Sequence, residues 1–218
     1  MSTKQSYYRY RITFTKEGAA RFLGHLDLQS LFQKAINRAK LPVGYSEGFN
    51  PHQLLSFAAP LPLGMAGKAE LLEVFLKNEV LEGDIVTALN AQMPVGMTVS
   101  AAVQVPSVGK SAAALVRKAT YSIAFSLEFD LDKILSEVMK SESVMVEKKS
   151  KKGMATIDIR PDIFDLKIVG ARHLRAVLAC GSAKNLKPEV LAGHILKLAE
   201  ITPENCDITY ERLEIGLR

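Results

Sequence analysis

The 218-residue sequence predicts an α+β protein made of two consecutive β-α-β-β-α-β halves. Three observations carry this reading. Stretches of period-two hydrophobicity alternate with stretches of helical spacing, in the same order twice. A run of small residues, "PSVGKSAAAL" from Pro106, separates the two series. The length also suits two domains of about 100 residues each.

The elements follow in order. In "YYRYRITFT", Tyr8, Tyr10, Ile12 and Phe14 alternate with Arg9 and Arg11, as in a half-buried strand. "HLDLQSLFQKAINRAK" puts Leu28, Leu31, Phe32, Ala35, Ile36 and Ala39 on one helical face, and Pro42 ends it. "LLSFAA" (54–59) and "ELLEVFLK" (70–77) read as strands, "EGDIVTALNAQ" as a short helix before Pro94, and "MTVSAAVQV" (97–105) as a fourth strand. The second half opens with the strand "TYSIAFSLEF" and the helix "DLDKILSEVMKS", N-capped by Asp130. "SVMVEKKS" and "MATIDIR" form a hairpin around Lys151-Lys152-Gly153, and "PDIFDLKIVGA" is an extra piece between the middle strands. "RHLRAVLAC" is a strand, "KPEVLAGHILKLAEI" a helix with Pro188 in its first turn, and "DITYERLEIGLR" a closing strand. The βαββαβ order is that of a split βαβ, ferredoxin-like unit. The expectation is two tandem ferredoxin-like units with antiparallel sheets packed as two lobes: 1–105, a linker at 106–118, and 119–218. A groove between such lobes is a natural binding place.

Hydrophobic residues make up 48% of the chain and charged residues 23%, which excludes a disordered protein. The net charge of +5 permits a nucleic-acid partner without demanding one. Cys180 and Cys206 form no CxxC pair and read as reduced, buried thiols. No apolar run approaches the roughly 20 residues of a membrane span. The N-terminal "MSTKQSYYRYRITF" lacks an apolar signal core. A cytoplasmic location is expected, with neither membrane nor DNA as partner. HExxH, GxGxxG and GxxxxGK[ST] are all absent. No cofactor is expected.

The densest polar region is the start of the first helix together with the loop Gly44–Gly64. A loop that only reversed the chain needs about two to five residues. Arg21, His25 and Asp27 precede or open the helix, and the loop carries Tyr45, Ser46, Glu47, Asn50 and His52. On one reading, His25 or Asp27 caps the helix while the other faces water. On the other, Arg21, His25, Tyr45, Ser46, Asn50 and His52 converge on one pocket. Such a pocket can grip phosphates or do acid–base chemistry on a phosphodiester. His25, His52 and Asp27 are also a known type of metal ligand set, but their spacing is scattered. Gly44, Gly48, Pro51, Pro60 and Pro62 stiffen the loop.

In the second half, "EKKSKKGM", with Lys148, Lys149, Lys151 and Lys152, is either a solvated hairpin tip or a lysine cluster for RNA phosphates, Lys149 and Lys151 among the contacts. Asp158 and Arg160 in "IDIRP" are either a surface ion pair or part of the same interface. "GSAKNLKPE" offers Lys184, Lys187 and a helix N-terminus to an anion. Arg172, beside His173, is a candidate phosphate contact. His194 borders an apolar helix stripe and reads as a packed helix residue.

The stretch "RFLGHLDLQSLFQKAINRAKLPVGYSEGFNPHQLLSFAAPLPLG" resembles the radical-SAM-associated family of unknown function. That family occurs alone or fused to the C-terminus of B12-binding-type radical-SAM proteins. "IDIRP" and the "G…LKPE" stretch are similar to family segments too, so the resemblance spans nearly the whole chain. Gln53 stands where the family pattern has Pro or another variable residue. The resemblance implies a radical-SAM partner, and the family's gene neighbourhoods imply RNA. This chain has no CxxxCxxC motif and so no usual site for the radical-SAM cluster. The doubled order also looks like that of RAMP-type RNA-processing proteins, an analogy of fold only.

Three functions follow as expectations. The first is an RNA-binding accessory protein, not a stand-alone enzyme, that presents tRNA or rRNA to a radical-SAM enzyme. The second is a metal-independent endoribonuclease with His25 or His52 as general acid or base. The third is a protein scaffold whose loop docks on the radical-SAM partner.

Overall fold

The computed structural model describes residues 6–150 and 153–218. The chain is a mixed α+β protein that divides into two compact units, the first ending at Val116 and the second beginning at Arg117.

The first unit holds β1 (Tyr8–Lys16), α1 (His25–Arg38), β2 (Leu55–Phe57), β3 (Ala66–Leu76), α2 (Glu82–Asn90), β4 (Met97–Val105) and the single turn α3 (Ala112–Leu115). Its strands lie in the order β4-β1-β3-β2, and each neighbouring pair is antiparallel. The alternation in β1 sends Tyr10, Ile12 and Phe14 into the core with Leu72, Val74 and Leu76 of β3. Helix α1 covers them with Leu28, Phe32, Ala35 and Ile36, and α2 with Ile85 and Leu89. The buried Tyr10 hydroxyl keeps its hydrogen bonds by donating to the Val80 carbonyl and accepting from the Val80 N–H, both at 2.9 Å. Helix α1 stops two residues short of the predicted end. Lys40 turns left-handed (φ 54°), and the Leu41 N–H closes back on the Ile36 carbonyl at 3.2 Å.

The other face of β1 departs from the half-buried expectation. Arg9 is only 3% exposed and pairs with Glu73, which is 1% exposed. Arg11, directly across from Glu73 in the register, binds the same carboxylate at 3.0 Å. What covers them is the predicted linker. Arg9 donates to the carbonyls of Pro106 (3.4 Å) and Lys110 (3.0 Å), and the Ala112 N–H donates to Glu73 at 3.0 Å. Burial alone would raise the Glu73 carboxyl. The Ala112 N–H and the two guanidiniums outweigh it and hold the group below its ordinary value.

The second unit holds β5 (Val116–Phe125), α4 (Leu131–Lys140), β6 (Met145–Ser150), β7 (Gly153–Asp158), β8 (Ile163–Gly170), β9 (His173–Ala179), α5 (Pro188–Leu198) and β10 (Ile208–Leu217). Its strand order is β10-β5-β9-β8. Ile123, Phe125, Leu174 and Leu178 on the strands are buried, as are Leu135, Leu191 and Ile195 on the helices. Asp130 caps α4 through the Lys133 N–H at 3.0 Å, and Pro188 opens α5. One assignment is corrected. The "extra piece" is β8, antiparallel to β9, while β6 and β7 make a separate two-stranded ribbon. The reason is burial: β8 brings Ile163 into the core, whereas Met154, Ala155 and Thr156 of the ribbon stay exposed.

Neither Cys180 nor Cys206 is in a disulfide, and both are buried. Among the described residues, no helix is long and apolar enough to cross a membrane.

Candidate functional site

The entry to α1 positions the first candidates. The Lys16 ammonium donates to the Leu23 carbonyl at 2.8 Å and holds the short 3-10 turn Gly18–Phe22 against β1. Within that turn the Arg21 guanidinium stacks over the Phe22 ring at 4.8 Å, and the Arg21 carbonyl accepts from the Gly64 N–H at 2.9 Å. Of the two candidate caps, Asp27 is the one used: its carboxylate accepts from the Gly24 N–H at 3.2 Å. The exposed His25 sets its ring edge-on to Phe57 of β2, with centroids 5.4 Å apart. Asp27 also lines a pocket of about 420 Å³ with Ser30, Lys34, Arg38 and Gln92.

The long loop is two pieces of extended chain around a closed tip. Gly44 and Leu54 pair with β3: the Gly44 N–H donates to the Phe75 carbonyl at 2.7 Å, and the Phe75 N–H to the Leu54 carbonyl at 3.0 Å. Glycine at 44 leaves room for the Tyr7 ring, which a Cβ would approach to 2.4 Å. Tyr45 and Gln53 form the next bridge. Ser46 and His52 then close the tip three ways. The Ser46 N–H donates to the His52 carbonyl (2.8 Å), the His52 N–H donates to Ser46 Oγ (3.0 Å), and Ser46 Oγ lies 2.8 Å from His52 Nδ1. Five residues, Glu47 to Pro51, are left to turn the chain, and Gly48 supplies the positive φ of 113°.

The loop is bolted to α1 by Gln53. Its side-chain amide, 5% exposed, donates to the Asn37 side-chain oxygen at 2.7 Å and to the Gln33 carbonyl at 3.2 Å. Tyr45 reaches the same Asn37 oxygen at 3.5 Å, and the Lys77 ammonium lies 5.9 Å from the Tyr45 ring centre. Gln53 stands at a variable position of the family pattern, and no local pattern marks it as an anchor.

Ser46 and His52 are therefore brought together, with Tyr45 next to them. Glu47 and Asn50 stand exposed on the tip, with no hydrogen bond or ion pair among the described residues. No hydrogen bond or ring contact joins Arg21 or His25 to the Ser46–His52 pair among the described residues. No cluster of three metal-ligating side chains occurs there either.

The second unit uses its candidates differently. Arg160 is engaged by backbone: its guanidinium donates to the carbonyls of Met139 (3.0 Å), Ser141 (3.2 Å) and Ile163 (3.1 Å). Two of those carbonyls belong to the C-terminal end of α4, where a cation is favoured. Asp158 accepts from the N–H groups of Val144 (2.8 Å) and Arg160 (2.9 Å), and these bonds, Val144 first, hold its carboxyl below the ordinary value. Lys184 pairs with Asp162 at 3.0 Å, and Arg172 donates to the Ser126 carbonyl at 3.1 Å. Lys187 is exposed and precedes Pro188. His194 is half-buried in α5, and burial holds its ring below the ordinary value. Lys151 and Lys152 lie outside the described residues, as do the side chains of Lys148 and Lys149.

The family described as uncharacterised proteins conserved in bacteria, DUF2344, matches residues 9–188. The chain belongs to this family. The match spans both the Ser46–His52 loop and the Asp158–Arg160 turn. No curated protein is significantly similar in sequence. Among solved structures, a chain of a Cbf5–Nop10–Gar1 complex is similar in fold, with a TM-score of 0.51 and 13% identity. The likeness covers 95% of this chain and 49% of that one, so this DUF2344 chain spans about half the length of its structural neighbour.

Proposed function

We propose that this DUF2344 protein is a cytoplasmic RNA-binding accessory protein that works with a radical-SAM enzyme and presents tRNA or rRNA to it. The observation that carries the reading is the loop tip. A turn closed by Ser46 holds Glu47, Asn50 and His52 toward solvent on a chain of net charge +5. Groups held this way lose little freedom on binding, which favours preorganised contacts over a floppy strap. The radical-SAM partner rests on the sequence resemblance. The ferredoxin-like reading of each unit is supported by the matching strand orders, β4-β1-β3-β2 and β10-β5-β9-β8.

The test is crosslinking to cellular RNA with sequencing, comparing the parent with an Arg21/His25/His52 triple-alanine variant, followed by titration of the enriched RNA against salt. One RNA class should be enriched, the variant should lose it, and affinity should fall steeply with salt. Binding that stays flat with salt, or no enrichment, sinks the reading and leaves protein scaffolding.

One observation favours a second reading. The Ser46 hydroxyl engages Nδ1 of His52, while Nε2 has no hydrogen-bond partner among the described residues. That arrangement suits a general acid or base acting on a phosphodiester. It requires RNA turnover by the parent protein that His52→Ala abolishes while binding survives.

A further inference from the structure

The tip of the loop carries a side chain that neither the core nor the polar network accounts for. Phe49 is fully exposed, at 105% of its reference area. It sits in the middle of the five-residue turn, between Gly48 and Asn50, on the base closed by Ser46 and His52. That base is tied in turn to β3 through Gly44 and Leu54 and to α1 through Gln53. The whole brace thus supports an aromatic ring held in water.

We propose that Phe49 is a stacking platform for an unpaired RNA base, with the flanking Asn50 amide and Glu47 carboxylate able to meet that base's hydrogen-bonding edge. This rests on the RNA reading above and narrows it to single-stranded or flipped-out nucleotides. Three features favour a base over an apolar protein partner. Its neighbours in the turn, between Ser46 and His52, are Glu, Gly, Asn and Pro, so the turn itself offers no second large apolar side chain beside the ring. A lone flat ring beside hydrogen-bonding groups matches a base, which has two π-faces and a polar edge. Cations also lie on the same unit to meet phosphates, among them Lys77 beside Tyr45 at the loop's base.

Phe49 touches no core residue, so its replacement leaves the fold intact and the test is clean. The full chain is titrated with a short single-stranded RNA carrying one 2-aminopurine, and with the same RNA as a duplex, for the parent and for Phe49→Ala, Phe49→Leu and Phe49→Trp. The expected result is preference for the single strand, with quenched 2-aminopurine fluorescence. Phe49→Ala and Phe49→Leu should weaken binding about 5- to 150-fold, the range for one lost stack, while Phe49→Trp keeps it. Salt-sensitive binding that is equal for both RNA forms and indifferent to Phe49 overturns the stacking inference and leaves the RNA reading standing. No RNA binding by any variant overturns both. A protein captured by the parent and lost with Phe49→Ala, at unchanged RNA affinity, reassigns the ring to protein docking.

Discussion

In the loop of the first unit, hydrogen bonds run between Ser46 and His52 at the base and leave Glu47, Phe49 and Asn50 facing solvent. In the turn of the second unit, from Asp158 to Asp162, they run inward. All three guanidinium nitrogens of Arg160 meet backbone carbonyls, and the Asp158 carboxylate meets two backbone N–H groups. Both segments are short, polar and turn-rich, and both lie within the family match. The difference is the location of the unsatisfied groups around each. The Asp158–Asp162 turn lies at the C-terminal end of α4, where carbonyls need donors, so its side chains are drawn into the fold. At the loop tip Ser46 and His52 satisfy one another instead. Its outer side chains are free for something else.

That contrast can be broken most forcefully at Arg160. Arg160→Ala leaves three carbonyls short of a charged donor and should lower stability by about 3 kcal/mol, read as a fall in thermal midpoint, with RNA affinity unchanged. Lost RNA binding at an unchanged midpoint would place Arg160 among the contacts instead. The next effect is smaller and falls on the loop's brace. In Gly44→Ala the new methyl meets the Tyr7 ring at 2.4 Å, which should cost about 1–3 kcal/mol and weaken RNA binding through the displaced tip. Full affinity in a destabilised Gly44→Ala protein would show that the brace does not matter to binding.

The smallest effect is a pH dependence. The Asp158 carboxyl is held below its ordinary value, chiefly by the Val144 N–H and then by that of Arg160. Its contribution is therefore fully present above the ordinary carboxylate range and is lost as the pH falls through its lowered native value. Thermal midpoints measured across acid pH should decline less steeply in Asp158→Asn than in the parent. An identical decline would mean that Asp158 is not held by those bonds in solution. Comparing the same series with His52→Ala, which alters no buried group, separates the inward-facing turn from the outward-facing loop.

Much of the architecture was legible because it is local. The alternation of Tyr8 to Phe14, the spacing of Leu28 to Ile36, the Asp130 cap and the Pro188 start each depend on neighbours a few residues away, and each forms as its pattern predicts. The candidate site was legible in part. The loop stood out by length and composition, and Ser46 and His52 do meet. The convergence of Arg21 and His25 on them is an inference across sequence distance; the ring contacts of these two are with Phe22 and Phe57. Gln53 and Phe49 carry no such local signal. One occupies a variable position of the family pattern, and the other is a lone aromatic with no charged or nucleophilic group.

The sequence by itself determined the elements with a local signature, β1, α1, α4 and α5 among them, since periodicity and capping act within a turn or two of the chain. It also determined where the polar loop falls. Tertiary structure alone decided that Ile163–Gly170 rather than the hairpin pairs with β9. It also decided that Arg9 and Glu73 are buried beneath the Pro106–Ala112 segment, and that Arg160 serves α4 while the Ser46–His52 tip serves no helix. These outcomes turn on which distant backbone groups lack partners and which apolar faces lack cover. That balance is struck only once the whole chain has packed.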